Sequence, residues 1–247
     1  MSINDLDKDF VANKFPHVEG WCDEGSAYLT ACLLNRQTET GCVAALLEIG
    51  VYKGKYLSVL YEKARRTGQR VVGIDTFQWT SAEEVVSKFE QIFGSTDGLR
   101  LVSANSRDLS VQAVTEMMDG QKASFISVDG DHSAAGVKSD LLLVRDLLHE
   151  GGIIAIDDFL NYRAIGVSEG TYRFFLESGE QSLRPFLYGA NKLYVADRKY
   201  HGRYQSAIWT LAQELPDLPM IQGFHHMLQM GRGYVEQELL GCNVLLI

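Results

Sequence analysis

Phe125-Ile126-Ser127-Val128-Asp129-Gly130-Asp131-His132 and Gly152-Ile153-Ile154-Ala155-Ile156-Asp157-Asp158-Phe159 decide how this chain folds. Each is a short apolar run that stops abruptly at acid. Between them Val137, Leu141, Val144 and Leu148 recur at helical spacing, and Gly151-Gly152 is expected to end that helix. A buried strand, a crossover helix and a second buried strand place both acidic ends on one edge of a parallel sheet. In open α/β sheets, ligands bind outside that edge. Asp129, Asp157 and Asp158 are therefore expected to converge, and three converging carboxylates repel unless a cation lies among them. The expectation is a divalent metal site beside a cofactor.

The same pattern extends in both directions. Ala45–Ile49, Arg70–Ile74 and Leu99–Ser103 read as further strands alternating with helices, which with Ser124–Val128 and Ile153–Ile156 make a doubly wound, mostly parallel Rossmann-like α/β sheet with helices on both faces. Arg184–Tyr188 and Lys192–Ala196, joined by Gly189-Ala190-Asn191, read as an antiparallel hairpin at the sheet edge. Upstream, Ala27, Tyr28, Ala31 and Leu34 mark a helix over Glu24–Arg36 that Gly41 closes. Downstream, a helix is expected over Tyr204–Glu214, then a break at Pro216 and Pro219 and a less regular stretch around Phe224–Met230. The organisation is one domain: a helical cap (1–42), a core (43–198) and an extension (199–247).

Composition narrows the function classes. The chain has 247 residues, 46% hydrophobic and 22% charged, enough for one well-buried α/β core. A net charge of −9 argues against a nucleic-acid backbone as partner, and Arg65-Arg66 is too short to be a basic patch. No apolar run approaches the roughly 20 residues that span a bilayer. The acidic start, Ser2 to Asp9, lacks an apolar signal core, so a cytoplasmic location is the default expectation. Cys22, Cys32, Cys42 and Cys242 suit neither zinc nor a disulfide framework by spacing and are read as reduced.

At the other end of the core, Glu48-Ile49-Gly50-Val51-Tyr52-Lys53-Gly54 carries a strand into a glycine turn and a helix. The G-x-x-x-G spacing lacks the G-x-G-x-x-G pyrophosphate signature. The preceding acid suits a cofactor with a sulfonium and an amino group better than one with phosphates. Asp75 ends the second strand, where a carboxylate meets ribose hydroxyls or simply caps the next helix. The loop Ser103-Ala104-Asn105-Ser106-Arg107 would lie beside an adenine, with Ser106 at its edge, though Ser and Asn are also plain turn formers.

Taken together, Glu48–Gly54, Gly73-Ile74-Asp75-Thr76-Phe77, Val128–His132, Gly151–Asp158 and Gly189–Tyr194 resemble the class I S-adenosylmethionine-dependent methyltransferases. Within that class the similarity is to the metal-dependent sugar O-methyltransferase group that includes macrocin O-methyltransferase, over roughly Val43 to Ala196. The resemblance implies cofactor contacts at Glu48, Gly50, Val51, Lys53, Gly54, Asp75, Thr76, Phe77, Ser106 and Asp129. It implies metal ligation by Asp129, Asp157 and Asp158, and a general base at His132. Asn105 departs from the pattern, because many relatives carry an acid before the serine.

Hard carboxylate ligands favour Mg²⁺ over zinc, with Mn²⁺ able to substitute. Asp131 is read either as a partner of the ligands or as a helix cap. His149 is expected at a helix C-terminus, and His225-His226 either in an acceptor pocket or on the surface. The expected chemistry is methyl transfer to a vicinal diol, a deoxysugar of a natural product or a nucleotide-linked sugar, with a catechol as the nearest variant. A nicotinamide-dependent oxidoreductase and a non-catalytic cofactor-binding protein are the alternatives from other classes. The cap and the extension offer surfaces for a homo-oligomer.

Overall fold

The computed structural model describes residues 3–247. Its centre is a nine-stranded sheet. In chain order the strands are β1 (Ala45–Ile49), β2 (Val71–Asp75), β3 (Leu99–Ser103), β4 (Ala123–Val128), β5 (Leu148–Asp157), β6 (Leu183–Gly189), β7 (Lys192–Asp197), β8 (Glu236–Leu239) and β9 (Cys242–Leu246). They lie in the order β3-β2-β1-β4-β5-β7-β6-β9-β8. The first five are parallel, and the chain reverses between β3 and β4, where the ends of β1 and β4 lie side by side. This is the expected doubly wound sheet with its antiparallel hairpin.

Side chains alternate across the strands into two cores. On one face Leu46 and Phe125 join α1 (Asp5–Asn13), α2 (Glu24–Glu39), α3 (Lys55–Thr67), α4 (Ala82–Phe93), α8 (His201–Glu214) and α9 (Pro219–Met230). On the other, Leu47, Ile126 and Ile154 pack against α5 (Val111–Met117), α6 (Ala134–Leu147) and α7 (Ile165–Glu177). The cap and the extension thus share one core. Cys32 of α2 lies against the Ala207 carbonyl of α8, and the Ile3 amide donates to Glu214. No helix among the described residues is long and apolar enough to cross a membrane. No disulfide joins the four cysteines among the described residues.

Three expectations change. The β6–β7 hairpin is not at the edge, because β9 pairs in parallel with β6 through Leu187↔Leu245 and β8 lies beyond it. Gly151-Gly152 does not end a helix: α6 stops at Leu147, Leu148 already pairs with Ala123, and Gly151 turns within β5 at φ +77°. His149 therefore sits in the first residues of β5, its Nδ1 2.6 Å from the Glu150 carbonyl, and not at a helix end. The reason is common to the last two: the helix-to-strand connection needs no loop, so the glycines are left to bend the strand.

Candidate active site

The ends of β1, β2, β4 and β5 meet on one edge of the sheet. Gly50 leaves β1 at φ +89°, and its amide donates to Ile74 at 2.9 Å. The Asp129 amide donates to the Ile49 carbonyl at 2.8 Å, which stitches the end of β4 to β1. A side chain on Gly50 would run into the Asp129 carbonyl, so only glycine permits this approach. Gly54 starts α3 at φ +84°, where a Cβ would press on Phe89 and Val85.

Asp75 organises the loop that follows. Its Oδ2 accepts from the Val51 and Tyr52 amides at 2.7 and 2.8 Å, and its Oδ1 from the Phe77 amide at 2.7 Å. These bonds hold Tyr52 and Phe77 in left-handed conformations, φ +49° and +52°. Three of about four acceptor positions on the carboxylate are used, leaving one toward the exposed side. Thr76 is exposed and Phe77 half-buried. Lys53 turns to the surface, where its Nζ pairs with Glu19 at 2.6 Å. The Ser106 hydroxyl donates to Asp140 at 2.6 Å, and Asn105 accepts from the Arg107 amide, so both act locally in the turn after β3.

Glu48 is the buried acid of the group, 1% exposed in the middle of β1. Its Oε2 finds no hydrogen-bond partner among the described residues. Burial, then repulsion from Asp129, pushes its carboxyl well above the ordinary range. An unsatisfied buried carboxyl is costly and marks a place built for a polar group.

At the neighbouring strand ends, single ligand atoms of Asp129, His132 and Asp158 lie within 4.8 Å of one another. His132 Nε2 stands 3.3 Å from Asp129 Oδ1 and 3.5 Å from Asp158 Oδ2. The hydrogen bond to Asp129 raises the pKa of His132 against an opposing effect of burial. Burial raises the Asp129 carboxyl to about 7, with His132 pulling it down and Asp157 pushing it up. Asp158, at φ +57°, is oriented by Asn161 and Asn191, whose side-chain amides both donate to Oδ1 at 2.6 Å. Asp157 lies beside Asp129, whose carboxyl it raises, and also faces Lys192. Its Oδ1 is 2.8 Å from the ammonium of Lys192, which lies directly opposite it on β7. Asp131 accepts from the Ser133 amide and hydroxyl and pairs with Arg107, so it fixes the start of α6.

These strand ends lie in a segment that is similar to a known domain family. Residues 47–159 match the profile of a methyltransferase domain. This segment is similar to methyltransferase domains. No match is found among curated proteins. Solved structures share the fold: the O-methyltransferase NovP at TM-score 0.59 and 15% identity, over 70% of this chain and 80% of that one. CalS11, a calicheamicin methyltransferase, aligns at TM-score 0.55 and 16% identity over 76% of this chain and 84% of its own. MycE of mycinamycin biosynthesis, solved with Mg, S-adenosylhomocysteine and mycinamycin VI, aligns at 0.53 and 14% over 78% and 54%.

These strand ends thus bring together Glu48, Gly50, Val51, Gly54, Asp75, Phe77, Asp129, Asp157, Asp158 and His132 near one edge, while Lys53 points away and Ser106 is engaged by Asp140. Sequence reasoning singled out no role for Lys192, Asn161, Asn191 or Asp140. Lys192 carried a signal nonetheless. A lysine that opens an apolar strand, Lys192-Leu193-Tyr194-Val195-Ala196, must find a carboxylate once buried. His225 on α9 reaches the Ala212 carbonyl at 3.0 Å and so ties α9 to α8.

Proposed function

We propose that the protein is an S-adenosylmethionine-dependent O-methyltransferase that uses a divalent cation, Mg²⁺ or Mn²⁺, and acts on a vicinal diol of a sugar. The observation that carries this reading is the convergence of Asp129, Asp158 and His132 at the strand ends of a methyltransferase domain. The carboxylates there are hard oxygen donors, which suit Mg²⁺ or Mn²⁺, and His132 stands beside them as a base. The unsatisfied Glu48 carboxyl suits the amino end of the methyl donor, and Asp75 lies where ribose hydroxyls are held.

Bound here, the sulfonium would supply an electrophilic methyl group and the cation would make a bound hydroxyl more acidic. The protein's own residues do the rest. Asp129, Asp157 and Asp158 would hold the cation, Asn161 and Asn191 fixing the angle of Asp158. His132 would take up the proton of the acceptor hydroxyl. Its Nε2 lies 3.3 Å from Asp129, a contact that would help to stabilise the imidazolium that proton capture creates. The nicotinamide alternative is disfavoured, since Glu48 would face a pyrophosphate.

The test is calorimetric titration with S-adenosylmethionine, its demethylated product, NAD and NADP, followed by transfer of a labelled methyl group to a panel of sugar and aromatic diols with and without chelator. Binding of the sulfonium cofactor and metal-dependent labelling of a diol are expected. Tighter binding of NAD would overturn the cofactor assignment. Undiminished transfer after metal removal, checked by elemental analysis, would overturn the metal role.

A further inference from the structure

The loop between β5 and α7 sends large apolar side chains into water directly after Asp158. Leu160, Tyr162 and Ile165 are 62%, 78% and 75% exposed. Leu160 is also held in a left-handed conformation, φ +67°, which strains a leucine. The loop is braced in this form. The Asn161 amide donates to the Asp158 carbonyl, the Ala164 amide to the Asn161 carbonyl and the Leu160 amide to the Ser168 hydroxyl, each at 3.0 Å. Apolar groups fixed outward beside a carboxylate of the site mark a contact surface. On the other flank Trp21 is 92% exposed, its ring stacked on Tyr52 at 5.5 Å. Tyr52 follows β1, and the strand order β1-β4-β5 places the end of β4, with Asp129 and His132, between this indole and the Leu160 loop.

Charge decides what this surface receives. Lys53 pairs with Glu19, Arg107 with Asp131 and Lys192 with Asp157. Arg163 lies 5.3 Å over the Tyr162 ring, and its Nε donates to that hydroxyl at 2.9 Å. Recognition of a diphosphate calls for cations free to form charge-assisted hydrogen bonds, and these are already engaged. We infer that the acceptor is a glycoside with an apolar aglycone and not a nucleotide-linked sugar. The sugar diol enters between the strand ends, while the aglycone stays outside against Leu160, Tyr162 and Ile165, with Trp21 bounding the other flank. This rests on the sugar O-methyltransferase reading above and narrows its substrate class. The aglycone would cover apolar surface that the free protein leaves in water, so these side chains set specificity through binding and not through the chemical step.

The test presents a panel of hexoses and 6-deoxyhexoses in three forms, as methyl glycosides, as hexyl glycosides and linked to a nucleoside diphosphate, with labelled S-adenosylmethionine and Mg²⁺. For the sugar that is labelled, the hexyl glycoside should show a KM about ten-fold or more below that of the methyl glycoside, the effect of burying roughly two methylenes. Leu160→Asn, which suits the left-handed backbone, and Tyr162→Ser should each shrink that preference by about three-fold or more, in KM and not in kcat. Circular dichroism melts confirm that both variants fold. Equal KM values for the hexyl and methyl forms would overturn the inference. So would preference for the nucleotide-linked form, or a hexyl preference that both variants leave intact. Labelling of no sugar in any form would instead overturn the sugar reading on which the inference rests.

Discussion

Gly50→Ala should be among the most damaging single-methyl changes in this protein. Two separable effects act at Gly50. Its φ of +89° is a conformation that alanine adopts at a cost of about 1–2 kcal/mol. The new Cβ would also collide with the Asp129 carbonyl and crowd the Gly130 amide. Neither side can yield easily, because Asp129 is bonded to Ile49 and the β1–β4 register continues through Ile49↔Val128. Overpacking of this kind adds about 1–3 kcal/mol. Together the two effects amount to about 2–5 kcal/mol, or a fall in Tm of roughly 4–20 °C for a chain of this size. Gly68 is the internal control. It ends α3 at φ +72° with nothing within 4 Å of a built Cβ. Gly68→Ala should therefore show only the conformational part, a fall of roughly 2–8 °C. Thermal melts of the two variants under one buffer give the comparison. Equal shifts would refute the claim that backbone crowding, and not φ alone, demands glycine at the site.

Asp75→Asn offers one acceptor oxygen where the carboxylate has two, so either the Val51 and Tyr52 amides or the Phe77 amide loses its partner; a loss of about 1–3 kcal/mol by urea denaturation is expected, with weaker cofactor binding by calorimetry. His132→Ala should lower kcat by roughly 10²–10⁴-fold, and His132→Asn nearly as much; turnover within a few-fold of wild type that recovers as pH rises would leave the cation as the only activator. Burial, reinforced by the Arg66 charge, holds the Lys63 ammonium down at about 8, against an ordinary 10.5. Between these values the unfolded chain carries a proton that the folded chain lacks, so stability rises with pH across the window. Denaturation of wild type and Lys63→Met from pH 7 to 11 should show the wild type gaining on the variant above about pH 8; parallel curves would contradict the assignment.

The core strands were legible because a parallel strand covered on both faces must be apolar throughout and must stop where the chain re-enters water. Ala45–Ile49 and Leu99–Ser103 match β1 and β3 residue for residue, β2 is shifted by one residue at both ends, and β4 starts one residue earlier. The start of β5 was not legible, since Leu148-His149-Glu150 lacks a strand pattern and is recruited only by its pairing with β4. Strands β8 and β9 were missed because a short strand with an exposed face, as in Glu236-Gln237-Glu238-Leu239, carries almost no periodic signal. Within the site, Asp129 and His132 could be joined from sequence alone, three residues apart past one strand end. The Lys192 contact could not, because it depends on an antiparallel register between strands distant in the chain.

The β8–β9 hairpin has a consequence for how these molecules meet one another. Without β9, the backbone of β6 would present open donors and acceptors beside Phe186 and Leu187, both buried, a template on which another chain could add a strand. With the hairpin in place the sheet instead finishes in β8, four residues long, which sets two glutamates and a glutamine along its rim. The opposite rim is β3, short and interrupted by Arg100. Charge at both rims discourages sheet-to-sheet growth between copies, so the hairpin that adds nothing to the strand ends of the site guards the protein against aggregation.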